Sequence, residues 1–133
     1  MQRPKPHVGM RHLALFVENF EDTVRFYVDL LGMAVEWQPD DDNYYLCSGC
    51  DNLALHRYSG DARPRAGQRL DHLGFIVREA DDVDAWHDFL VANGVQIKAQ
   101  PRTHRDGARS FYCLDPDGNL VQMIHHPPIA QVI

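Results

Sequence analysis

The chain has 133 residues, 44% hydrophobic and 24% charged, with a formal net charge of −6. Those values suit one globular domain, or two small fused modules, and exclude a strongly basic nucleic-acid surface. No apolar run approaches a membrane span, and the opening MQRPKPHVGM lacks the apolar stretch of a secretory leader. Three cysteines close no disulfide framework, so a reduced, cytoplasmic protein is expected.

The first element is HLALFV (12–17), a short apolar run that reads as a buried strand. A helix follows, with Phe20, Val24, Tyr27 and Leu31 on one face, Glu21 and Asp22 in its first turn, and Gly32 as its stop. AVEWQ (34–38) is the next strand candidate, and NYYLCSGCDNLALHR, from Asn43, reads as a hairpin. Its CSGC (47–50) is read as a turn that contains cysteines. A structural zinc site wants a second ligand pair, and Cys113 stands alone. A polar Gly-, Pro- and Arg-rich joint, SGDARPRAGQRL (59–70), comes next.

The same series then returns. HLGFIV (72–77) lies 60 positions after HLALFV. Val83, Trp86 and Leu90 form a second helical stripe, with Asp81 and Asp82 in the first turn and Gly94 as the stop. VQIKAQ (95–100) precedes a second hairpin, SFYCLDPDGNLVQMI, from Ser110. The two hairpins align without gaps at an offset of 67, which sets Tyr45 on Tyr112 and Leu55 on Gln122. The chain is therefore read as one domain built of two strand–helix–strand–strand–strand modules, at 8–58 and 71–126, joined by a linker at 59–70. Two such modules side by side enclose a curved sheet whose concave face is the default ligand site.

Paired βαβββ modules, a histidine opening each one, FYVDLLGM in the first helix and FYCLDPDGNLVQM near the end resemble the vicinal oxygen chelate superfamily. That group holds glyoxalase I, extradiol dioxygenases, methylmalonyl-CoA epimerase, fosfomycin-resistance transferases and bleomycin-resistance proteins. The resemblance implies an α+β fold, a glyoxalase-like cup of eight strands in a curved mixed sheet, and a homodimer. It also implies a divalent metal ion (Zn, Ni, Mn or Fe(II)) held by His12, His72 and the residue at 122. The family usually places a glutamate there; this chain has Gln122. Leu55, at the repeat-derived position of a possible fourth ligand, cannot bind metal. A His, His, Gln set offsets none of a cation's charge, so the metal is expected to be weakly bound or absent.

Strand alternation puts Gln122 and His126 on one face and His125 on the other, with His126 about 13 Å further along. The two terminal histidines are therefore expected to be bystanders. His56, next to Leu55, is expected to point out of the cup. The loop KAQPRTHRDGARS carries Lys98, Arg102, His104, Arg105 and Arg109, either a solvated basic loop or an anion clamp. Ser110 and Tyr112 match positions that bind phosphonate in the resembled transferases, although Ala14 stands where those enzymes use a threonine. Trp37 and Tyr45 are candidates for an aromatic wall. Two readings stay open, and a third, glutathione or thiol transfer to an epoxide, is disfavoured by Ala14 and Gln122. One is a lyase, isomerase or oxygenase chelating two neighbouring oxygens of a small substrate on the metal. The other is a metal-free small-molecule binding protein. No nucleic-acid or membrane partner is expected.

Overall fold

A computed structural model of the protein describes residues 2–3, 5–6, 9–60 and 70–131. Most of the expected linker lies outside the described residues. The first module runs β1 (His12–Val17), α1 (Phe20–Arg25), a π-helical turn (Phe26–Leu30), β2 (Ala34–Asp40), β3 (Asn43–Cys47) and β4 (Asn52–Arg57). The second runs β5 (Leu73–Ile76), α2 (Ala80–Ala92), β6 (Ile97–Thr103), β7 (Arg109–Leu114) and β8 (Leu120–His125). The eight strands form two four-stranded sheets, ordered β1-β4-β3-β2 and β5-β8-β7-β6. In each, the first strand runs parallel to the last and the other pairs are antiparallel. The expected α+β architecture is present, its eight strands divided between two separate sheets.

Alternation decides which side of each strand is buried. Leu15 and Val17 of β1, Leu53 and Leu55 of β4, and Val121 and Met123 of β8 share one continuous core with Phe20, Tyr27, Val83, Leu90 and Phe111. The stripe expected on α2 is the buried one: Val83 and Leu90 are enclosed and Trp86 packs against them. The helix starts where the Glu79 N–H donates to Asp82 Oδ2 at 3.1 Å, a side-chain answer to an otherwise orphaned donor.

The first helix departs from regularity. After Arg25 the Leu31 N–H reaches back five residues to the Phe26 carbonyl at 3.0 Å. Phe26 and Tyr27, neighbours in sequence, are both buried, and a widened turn of this kind re-aims side chains at a packed site. Gly32, at a φ of 78°, supplies the left-handed residue that ends the segment.

The turn DPDGN does more than reverse the chain. Asp117 Oδ1 accepts from the backbone N–H groups of Glu18 (2.9 Å) and Asn19 (2.7 Å). Asn19 Nδ2 donates to the Pro116 carbonyl at 3.3 Å. The buried Tyr27 hydroxyl donates to Asp115 Oδ2 at 2.8 Å. The second module's hairpin turn is thus bolted to the β1–α1 junction of the first.

One sequence expectation is corrected by strand register. Tyr45 pairs with Ala54, whereas Tyr112 pairs with Gln122. The repeat offset is 67 on β3/β7 but 68 on β4/β8, because the turn of the second hairpin holds one residue more (115–119 against 48–51). The counterpart of Gln122 is therefore Ala54, and Leu55 is a core residue. His56 accordingly lies on the open face, its ring 5.8 Å from Tyr45 and 5.7 Å from Phe16. A one-residue shift inverts the face of every side chain on a strand.

Candidate functional site

A cavity of about 740 Å³ opens between the modules, and His12, His72, His104, Tyr112, Gln122 and His126 are among its walls. His12 begins β1 and His72 immediately precedes β5, so the repeat delivers both imidazoles to one space. Gln122 arrives on β8, paired in register with Gly74 of β5. A Cβ on Gly74 would lie 3.7 Å from Gln122 Oε1. The glutamine side chain therefore lies over a position with no side chain of its own.

Each imidazole is engaged at one nitrogen. His12 Nδ1 lies 2.7 Å from Asn52 Oδ1. His72 Nδ1 lies 2.5 Å from Asp71 Oδ2, and the edge of its ring meets Tyr112 at 5.3 Å between centroids. Because Asn52 Oδ1 and the Asp71 carboxylate accept, both Nδ1 atoms donate, and in a neutral ring Nε2 is then the acceptor. A neutral imidazole of this tautomer offers Nε2 to a metal ion. Among the described residues, no group of three or more His, Cys, Asp or Glu side chains is arranged to hold a metal ion. A cation here would rest on two imidazole nitrogens and the Gln122 amide oxygen, a neutral set that fits a divalent ion without cancelling its charge.

The other predicted residues separate. Tyr112 lines the cavity. Ser110, two residues before it on the same face of β7, is buried behind His104, whose Nε2 lies 3.2 Å from Ser110 Oγ. Arg109 faces the opposite way and is taken up by α2. Its Nε and Nη2 donate to Asp84 at 2.8 and 2.7 Å, and Nη1 donates to Thr103 Oγ1 at 3.1 Å. The guanidinium holds the Asp84 carboxyl below the usual carboxylate range, and Asp84 in turn raises Arg109. Trp37 and Tyr45 stack on each other at 5.0 Å on the open face of the first sheet, outside this cavity.

Sequence reasoning missed three features. His126 does line the cavity, on the side shared with Gln122. Its alternation was readable, but the width of the cavity was not. His104 could be seen only as part of a basic loop; its hydrogen bond to Ser110 depends on how the β6–β7 connection folds back. Asn52 was visible only as a repeat partner of Asn119, yet the two do different work. Asn119 Nδ2 donates to Asp115 at 2.8 Å, and Asn52 holds His12.

The sequence model of the Glyoxalase/Bleomycin resistance protein/Dioxygenase superfamily matches residues 9–123. Metallothiol transferase FosB of Staphylococcus haemolyticus is 27% identical over 116 residues, covering 86% of this chain and 81% of that protein. Glutathione transferase FosA of Serratia marcescens is 28% identical over 115 residues, covering 86% and 79%. Among solved structures, a lactoylglutathione lyase from Agrobacterium tumefaciens superposes with a TM-score of 0.75 at 21% identity, over 91% of this chain and 96% of that one. No helix among the described residues is long and apolar enough to cross a membrane.

Proposed function

Because the chain belongs to the Glyoxalase/Bleomycin resistance protein/Dioxygenase superfamily, we propose that it is a divalent-cation-dependent enzyme. His12, His72 and Gln122 would hold the ion, and the substrate would be a small molecule with two adjacent oxygens. The observation that carries this reading is the arrival of these three side chains at one cavity, with both imidazoles donating through Nδ1. When bound, the cation supplies Lewis acidity to the substrate oxygens. A neutral donor set leaves the charge of the ion unanswered, so an anionic substrate completes the balance and binds best. The Tyr112 side chain, which lines the cavity beside His72, would orient that ligand.

Gln122 takes up no proton near neutral pH, so a reaction that moves a carbon-bound proton through a residue at this position is disfavoured. Addition of an external nucleophile to a cation-activated substrate makes no such demand. The relatives named metallothiol and glutathione transferases favour a thiol as that nucleophile. The absence of a hydroxyl at Ala14, on the His12 face of β1, sets this chain apart from the pattern of the resembled transferases.

The deciding experiment is metal content and titration of protein purified without a chelating tag. Binding of Ni(II), Zn(II), Mn(II) or Fe(II) that disappears in His12→Ala and His72→Ala is the expected result. Gln122→Glu should tighten it. A carboxylate about 2 Å from a divalent cation gains about 4 kcal/mol even at the dielectric of water. Desolvation removes part of that, leaving a gain of about 10- to 100-fold. Wild type and Gln122→Glu both failing to bind any of these ions would replace this reading with that of a metal-free binding protein.

A homodimer is part of the proposal. The open face of the first sheet exposes Trp37 (57%) and Phe16 (46%), apolar area that a second copy would cover. Light scattering after gel filtration tests this; a monomer at micromolar concentration refutes it.

A further inference from the structure

Glu36 stands outside the proposed donor set, yet it is joined to one donor by two hydrogen bonds. Asn52 Nδ2 donates to Glu36 Oε2 at 3.1 Å, and Asn52 Oδ1 receives His12 Nδ1 at 2.7 Å. Register explains how an edge strand reaches β4 across β3. Val35 pairs with Leu46 and Trp37 with Tyr45, so two steps along β2 match one step along β3, and Glu36 is the extra residue of a β-bulge. A bulge breaks alternation and re-aims a side chain. Here Trp37 stacks on Tyr45 while Glu36 reaches Asn52, so consecutive residues of β2 serve one face. Asn52 is the register partner of His12 across the parallel β1–β4 pair.

We infer that Glu36 and Asn52 are positioning residues that fix the tautomer of His12, so that Nε2 presents its lone pair to the cavity. An asparagine amide has two unlike ends and can turn either one towards an imidazole. A carboxylate accepts and never donates, so Glu36 binds only the NH₂ end of Asn52. The Oδ1 end is then left for His12, and an acceptor at Nδ1 places the imidazole proton there. The directionality of the whole chain is set by the one charged member. Such outer partners hold a metal-ligating histidine in the required orientation and tautomer. With no carboxylate at position 122, the site depends on its imidazoles more than a His, His, Glu set would.

The inference rests on the proposed role of His12 as a donor, and two readouts keep the two claims apart. The first is nitrogen-15 NMR of the apo-protein, which reports which ring nitrogen of His12 carries the proton. The second is Ni(II) titration. Wild type should show the Nδ1–H form. Asn52→Leu should lose that form and weaken Ni(II) binding by about 10- to 100-fold. Asn52→Asp combined with Glu36→Gln keeps an obligate acceptor at position 52 without setting two carboxylates against each other, so that pair should retain both the tautomer and the affinity. Glu36→Gln alone, an exposed change on an edge strand that leaves the core intact, should give a mixture of tautomers, because glutamine can bind either end of Asn52. A wild-type His12 found in the Nε2–H form overturns the inference. So does an Asn52→Leu protein with native circular dichroism and unchanged tautomer and Ni(II) affinity. If wild type takes up no Ni(II), the cation reading fails, and the tautomers alone decide the relay.

Discussion

Removing the hydroxyl that joins the two modules should cost a defined amount of stability. Tyr27 is fully buried and donates to Asp115 Oδ2 at 2.8 Å. Burial first, then the neighbouring carboxylate, push its phenol well above the ordinary value of 10.0, so the group stays protonated and donating. A hydrogen bond to a charged group contributes about 1.5–3 kcal/mol. In Tyr27→Phe the ring and its contacts with Phe26 and Phe75 remain, and no cavity larger than an oxygen atom opens. The carboxylate keeps the Asn119 Nδ2 bond on the same oxygen, and Oδ1 keeps the N–H groups of Asp117 and Asn119. The cost therefore belongs at the lower end, about 1.5–2 kcal/mol. Urea unfolding should show a lower midpoint at unchanged slope. The sign of the alkaline dependence is also fixed. A folded phenol raised above 10.0 means that, above about pH 10, the unfolded chain has lost a proton the native state keeps. Stability then falls with rising pH, by up to about 1.4 kcal/mol per unit. That limb should be shallower in Tyr27→Phe. A change below about 0.5 kcal/mol at neutral pH, with an unchanged alkaline limb, would refute the role of this bond in joining the modules.

Two further outcomes test the second module. Iodoacetamide at pH 8 should modify Cys47 and Cys50 and spare Cys113, whose buried thiol is pushed up to about 12 by desolvation and then by Asp115. Mass spectrometry showing three alkyl groups on native protein would contradict that burial. His87 lies against Phe111 at 5.4 Å, and its Nε2 is a buried nitrogen with no partner among the described residues. His87→Leu removes that orphaned nitrogen together with the contact of Nδ1 with the exposed Asp88 at 3.2 Å, and should raise stability by about 1 kcal/mol, seen as a higher melting temperature; a fall would mean that the Asp88 contact outweighs the unpaired Nε2.

The chain could be read this far because its two modules repeat the same local decisions. The apolar runs at 12–17 and 72–77 and the stripes Phe20/Tyr27 and Val83/Leu90 are dictated by periodicities of two and of about 3.6 residues, properties of contiguous sequence. That His12 and His72 line one cavity follows from the same symmetry. Elsewhere the symmetry misled. DPDGN and SGCD look like equivalent turns, and one extra residue between strands leaves every local pattern intact. It nevertheless moves the partner of Gln122 from Leu55 to Ala54 and brings His56 onto the open face. Only hydrogen-bonded register counts that residue.

Charge told less than geometry. Arg109 belongs to a basic loop by sequence, and its fate was decided by Asp84 on α2, 25 positions away. Glu36 carried no signal beyond being an acid in a strand; a bulge directed it towards Asn52. The sequence alone determined the elements, their order and their duplication, because each depends on residues close along the chain, and the resemblance it carries marked Gln122 as standing where an acid is usual. The tertiary structure decided which side of a strand faces the cavity, which arginine is already neutralised and which asparagine holds His12. Those depend on register and on partners from distant elements, and contiguous pattern carries neither.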